Sequence, residues 1–188
     1  MAIANLLTEA GANHILLCDS KGIISRDRTD LNPQKEKLAV AETGTLGDAL
    51  KGADVFIGVS VPGVLTPEMV SHMATAPIVF AMANPIPEIQ PELLGDEVAV
   101  IATGRSDYPN QINNVLAFPG LFRGALDSRA STLTTGMFLE AAGAIASLVS
   151  PGELDREHII PSVFDERVAT AVAAAVQRAA RDAGVASY

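Results

Sequence analysis

The stretch Thr103–Gly124, TGRSDYPNQINNVLAFPGLFRG, concentrates the residue types that handle small polar molecules. Asn113 and Asn114 stand side by side, a short distance after Arg105, Asp107 and Tyr108. A carboxamide both donates and accepts, so a pair of them can orient a carboxylate, a hydroxyl or another amide. Loops at strand ends carry binding residues disproportionately often. The same residue types are also ordinary turn formers, so chemistry alone leaves a ligand site and a polar turn both open.

Short apolar runs must position these groups. Val98–Ala102 reads as a buried strand that delivers the chain to Gly104 and Pro109. Three earlier runs read the same way: His14–Cys18 closed by Asp19, Asp54–Val59, and Ile78–Ala83 closed by Asn84. Gly58, Val59 and Ser60 then fall at a strand's carboxyl end, where backbone can approach a dinucleotide. Helices are expected at residues 1–10, at Glu36–Glu42, at Thr45–Lys51, after the cap Thr66-Pro67-Glu68, at Glu88–Leu94, at Met137–Val149 and at Glu166–Ala183. Phe118-Pro119-Gly120 predicts a kink ahead of Leu121–Leu126, and Ile159–Pro161 an extended tie. Buried apolar runs alternating with helices predict an α/β fold with a mainly parallel sheet.

Composition narrows the function. The 188 residues suit one domain over 1–188, and 48% hydrophobic against 19% charged residues makes the chain globular. A formal charge of −9 argues against nucleic acid and anionic membranes as partners. No run is long enough to span a bilayer and no signal peptide is visible, which predicts a cytoplasmic protein. Cys18 is the one cysteine and sits in the apolar run HILLC, as a structural thiol would. His72 has no second His or carboxylate at metal-ligand spacing and reads as structural, and His158 reads as part of the surface of the extended tie around Ile159–Pro161.

Four blocks resemble the nicotinamide-cofactor domain of the malic enzymes in their bacterial form: CDSKGII at Cys18–Ile24, DVFIGVSVPGVLT at Asp54–Thr66, PIVFAMANPIPE at Pro77–Glu88, and GRSDYPNQINNVLAFPGLFRGALD. They occur in order, cover nearly the whole chain, and imply an α/β fold with a Rossmann-like, doubly wound, mainly parallel sheet lacking the first strand and Gly-rich loop. The resemblance implies oxidation of malate by hydride transfer to NADP or NAD, followed by decarboxylation to pyruvate and CO2. It implies that Asp19, Ser20, Lys21, Gly58, Val59, Ser60 and Asn84 contact the cofactor, and that Asn84, Asn113 and Asn114 contact the substrate. An acidic residue at Asp19 would bond the adenosine ribose, while Lys21, Arg26, Arg28 and Lys35 could accommodate a 2′-phosphate, a mild lean to NADP. A homo-oligomer is also expected.

The resemblance also marks what these residues lack. No strand and Gly-rich turn precede the helix at residues 1–10, so the domain is expected to be incomplete at its N-terminus, with its central strand missing and the isolated chain poorly folded, oligomeric or rearranged. The family's catalytic tyrosine and lysine and the carboxylate ligands of Mg or Mn map onto no residue here. Neither Tyr108 nor Tyr188 is a substitute, and no catalytic or metal-binding residue is expected in this chain. The alternative is a non-catalytic nucleotide-binding or regulatory module on the same fold. A Rossmann dehydrogenase acting on amino acids is disfavoured by NNVLAFPG.

Overall fold

Helix α1 (Ala2–Glu9) opens the fold and ends just before Gly11, as its apolar spacing predicts. A computed structural model describes residues 1–187; Tyr188 lies outside the described residues. The expected strand His14–Cys18 is mostly absent. Only β1 (Cys18–Asp19) pairs, turning back antiparallel onto β2 (Gly22–Ile23). A strand needs a ladder partner for its backbone donors and acceptors. Leu17 finds one in the Ile24 N–H at 2.8 Å, and the run does not join the parallel sheet.

Local capping also moves the next helix. α2 (Pro33–Glu36) starts at Asn32, whose side chain accepts from the Gln34 and Lys35 amides, with Pro33 in the first turn. It stops where a helix over Glu36–Glu42 was expected to begin. Val40 is instead drawn into a parallel bridge with Ser25, and its carbonyl accepts from Arg26 N–H at 2.8 Å. α3 (Leu46–Leu50) follows the reading closely, because Thr45 and Asp48 form a reciprocal capping box.

The parallel sheet is built from β3 (Val55–Gly58), β4 (Ile78–Ala81) and β5 (Val100–Thr103), in the order β3-β4-β5. Between the first two lies α4 (Pro67–Ser71), with Thr66 accepting from the Met69 amide. Val79, Ala81 and Ala102 are fully buried, while Ile78 and Phe80, on the other face of β4, are half-buried. Phe56, Leu65, Val70, Val79 and Val98 join one core around the sheet. Among the described residues nothing pairs with the outer edge of β3, where Val55 stays exposed. In place of the helix expected over Glu88–Leu94 there is a 3-10 turn, Pro91–Leu93, because Glu88 turns inward and is fully buried.

Three helices build a second core. α5 (Phe118–Asp127) is continuous, not kinked: Pro119 lies in its first turn, where no intrahelical donor is required. α6 (Thr135–Ala146) is capped by Thr134, and α7 (Arg167–Asp182) closes the chain. Leu116, Leu121, Met137, Val168, Val172 and Val176 are buried between them. Gly120 and Gly124 let α5 press onto α7, since a methyl group on Gly120 would lie 2.6 Å from Val172 Cβ. Among the described residues no helix is long and apolar enough to cross a membrane.

Candidate functional site

Because the three sheet strands are parallel and in register, Gly58 opposite Ala81 and Ala81 opposite Thr103, their carboxyl ends open on one edge. Ser60 lies two residues past the end of β3 and Asn84 three past β4. The Ile112 amide donates to the Thr103 carbonyl at 2.8 Å, which folds the chain back so that Asn113 and Asn114 follow directly from the end of β5. The fold thus gathers Gly58, Val59, Ser60, Asn84, Asn113 and Asn114 on the loops at one edge of the sheet. Ligands bind along this edge in open α/β sheets.

Each group has its own surroundings. Asn84 and Asn114 are exposed, and Asn113 is half-buried. Asn113 Oδ1 accepts from the Val115 amide at 3.0 Å and so caps the 3-10 turn Asn114–Leu116. Val59 is 64% exposed, an apolar side chain left open beside polar neighbours. Arg105 forms a two-point pair with Asp107, and that guanidinium holds the Asp107 carboxyl below the usual carboxylate range. The Tyr108 hydroxyl donates to Glu92, which pushes the phenol up, and Arg105 lies over its ring at 5.2 Å. These three residues are committed to one another.

Asp19, Ser20 and Lys21 lie on the β1–β2 hairpin, which is not a strand pair of the three-stranded sheet. The Asp19 carboxylate takes Arg28 through both oxygens, at 2.8 and 3.0 Å, and Lys35 at 2.5 Å. Arg28 and Lys21 also bind Asp30. Three cations against two carboxylates leave the cluster one positive charge in excess within an acidic chain. Arg28, then Lys35, holds Asp19 far below the ordinary aspartate range; Arg28, then Lys21, does the same for Asp30. A depressed folded pKa contributes stability above the unfolded value of about 3.9 and loses it as pH falls towards the folded one. Carboxyl resonances of Asp19 and Asp30 are therefore expected to titrate with midpoints below about 3.9, and the hairpin to lose this support progressively as pH falls from about 3.9 through those midpoints. Midpoints at or above the ordinary value would contradict the network.

Two organising residues were not singled out by sequence. Glu88 is fully buried, and its Oε1 accepts from the Ser60 amide at 2.7 Å while Oε2 accepts from the Ala83 amide at 2.9 Å. Asn110 is also buried, with φ at 54°, in the left-handed region that Asn tolerates. Its Nδ2 donates to the Ile101 and Arg156 carbonyls and its Oδ1 accepts from the Ile159 amide. The only signal for Asn110 was a Pro-Asn turn; for Glu88 there was none, since a lone Glu before a proline pattern reads as surface. Cys18 is half-buried, and burial, then the adjacent Asp19, raises its thiol, against a nucleophilic role. His72 is exposed at the end of α4, and His158 is exposed as well.

A cavity of about 470 Å³ is lined by Tyr108, Asn110, Gln111, His158 and Phe164 and contains none of Ser60, Asn84 or Asn113. Ser60 and Asn84 are exposed, and Asn113 is half-buried. Among the described residues no group of three or more His, Cys, Asp or Glu could hold a metal ion.

Comparison with known proteins gives one consistent result. Residues 1–181 match the family model described as "Malic enzyme, NAD binding domain". The chain is 53% identical over 193 residues to the bifunctional malic/malolactic enzyme of Bacillus subtilis, aligning 99% of itself with 47% of that protein. It is 54% identical to the NAD-dependent malic enzyme of Geobacillus stearothermophilus, covering 99% of itself and 40% of that protein. Against the NADP-dependent malic enzyme of Escherichia coli the identity is 46%, over 100% of this chain and 27% of that one. Among solved structures, the malic enzyme of Pyrococcus horikoshii superposes with a TM-score of 0.89 at 42% identity, over 98% of this chain and 46% of that one. The chain thus spans less than half the length of these relatives.

Proposed function

Because the chain belongs to the malic enzyme family, as its NAD binding domain, we propose that it serves oxidation of malate and decarboxylation to pyruvate and CO2. The observation that carries this reading is the convergence of Ser60, Asn84, Asn113 and Asn114 on one sheet edge. In it, Gly58, Val59 and Ser60 line the dinucleotide at the end of β3, and Asn84 reaches its nicotinamide end. NAD or NADP, when bound, would supply the hydride acceptor. Asn84, Asn113 and Asn114 orient malate by donating to its carboxylate oxygens and accepting from its hydroxyl.

The hairpin cluster receives the adenosine ribose. Asp19 is held ionised, and its two oxygens already accept from Arg28, Lys35 and the Lys21 amide, so a ribose hydroxyl would replace one of these donors. Lys21 is the most exposed of the three cations and is the residue placed to meet a 2′-phosphate, together with Ser20. No catalytic acid or base and no ligand for Mg or Mn is assigned to these residues. The reading makes residues 1–188 a single cofactor-binding domain and places the protein in the cytoplasm as a homo-oligomer, a state that light scattering at native length would check.

The deciding experiment supplies the native-length protein with malate, Mn and either NAD or NADP, and follows reduced nicotinamide. Production of reduced cofactor and stoichiometric pyruvate is the expected result. Dinucleotide binding without turnover would leave a non-catalytic module, and no binding would end the reading.

A further inference from the structure

The ladder between β3 and β4 ends with Met82 N–H donating to the Gly58 carbonyl at 3.1 Å. Beyond that bond the two loops separate, and each carries a residue of the proposed site: Ser60 on one, Asn84 on the other. A carboxyl group fills the gap. Glu88 Oε1 accepts from Ser60 N–H at 2.7 Å and from Ser60 Oγ at 3.4 Å, and Oε2 accepts from Ala83 N–H at 2.9 Å. Its own carbonyl accepts from the Leu65 amide at 3.3 Å, anchoring the far end of the Ser60 loop. Gly58 makes room: a methyl group there would lie 2.4 Å from the Glu88 carboxyl carbon.

We propose that Glu88, seated against Gly58, is a positioning residue for dinucleotide binding, fixing the spacing between the Ser60 loop and Asn84. This rests on the reading of that edge as the cofactor site. Two backbone donors converge on one buried carboxyl, and such charge-assisted bonds are short and directional. The carboxyl thus extends the ladder by one rigid link, past the point where backbone pairing ends. Glutamine has the same volume but offers one oxygen and one NH2, so one of the two amides would face a donor. A merely space-filling Glu88 would tolerate that change.

The test uses native-length protein and the fluorescence of bound NADH and NADPH, well below each variant's melting midpoint. Glu88→Gln is expected to melt cooperatively and to bind its preferred dinucleotide about ten-fold more weakly, the effect of one buried hydrogen bond. A wild-type affinity overturns the proposal. If that variant does not fold, hydrogen exchange in the unmodified protein carries the test. In the unmodified protein the Ser60 and Ala83 amides are expected to slow their hydrogen exchange together when NADH saturates the site; unchanged rates overturn the proposal whatever the variants do. If the wild type binds neither dinucleotide, the cofactor-site reading falls first.

Discussion

Gly124→Ala is expected to destabilise the protein by about 2 kcal/mol, although alanine is the better helix former. A methyl group there would sit 2.5 Å from the Ala173 carbonyl oxygen and 2.8 Å from Val176 Cβ. The first obstacle is backbone, so no rotamer change relieves it and α5 must move away from α7. Overpacking of this kind costs up to about 3 kcal/mol, against about 1 kcal/mol gained in helix propensity. The separation also opens the contact of Gly120 with Val172, one turn earlier. Gly143 on α6 is the control, because nothing lies within 4 Å of a methyl group there. Gly143→Ala should be neutral or stabilising by about 0.5–1 kcal/mol. Thermal melting separates the two: Gly124→Ala should lose about 4–8 °C. A melting point at or above wild type would refute the close helix contact.

Asn110→Ala should cost more, about 4 kcal/mol. The substitution removes three buried hydrogen bonds, to Ile101 O at 3.0 Å, Arg156 O at 2.9 Å and Ile159 N at 2.9 Å. At a net of about 1 kcal/mol each they account for most of the loss. The rest is the left-handed backbone at φ 54°, which costs an alanine about 1 kcal/mol. Asn110→Gly isolates the two terms, since glycine adopts that φ freely and forfeits only the bonds. Chemical denaturation should therefore rank wild type above Asn110→Gly, and Asn110→Gly above Asn110→Ala. A loss under about 1 kcal/mol in Asn110→Ala would show that the side chain is not the tie described here. The consequence reaches the site, because the next residue, Gln111, bridges to Thr103 and leads to Asn113.

Much of the fold was legible because its signals are local. Thr45 with Asp48, and Thr66 with Pro67, announce their helices within four residues, and the structure begins helices at both. The apolar runs Asp54–Val59, Ile78–Ala83 and Val98–Ala102 hold the three strands of the parallel sheet, which end at Gly58, Ala81 and Thr103. The misreadings share one cause. His14–Leu17 has strand composition but no place in the sheet. Glu36–Glu42 has helical composition, but Val40 is taken by Ser25. Phe118-Pro119-Gly120 looks like an interruption, but its glycine serves α7 and its proline starts α5.

The sequence by itself determined the family blocks, the three strands of the parallel sheet, the helix cap at Thr66, and the placing of Asn84, Asn113 and Asn114 beyond strand ends. Those features depend on neighbours along the chain. Tertiary structure alone decided that Glu88 is a buried bridge, that Asn110 ties β5 to residues 156–159, and that Asp19 is held among Arg28 and Lys35. Each depends on donors and acceptors brought together from distant positions. A side chain's hydrogen-bonding needs are written in its type, but which groups satisfy them is set only when the chain has packed.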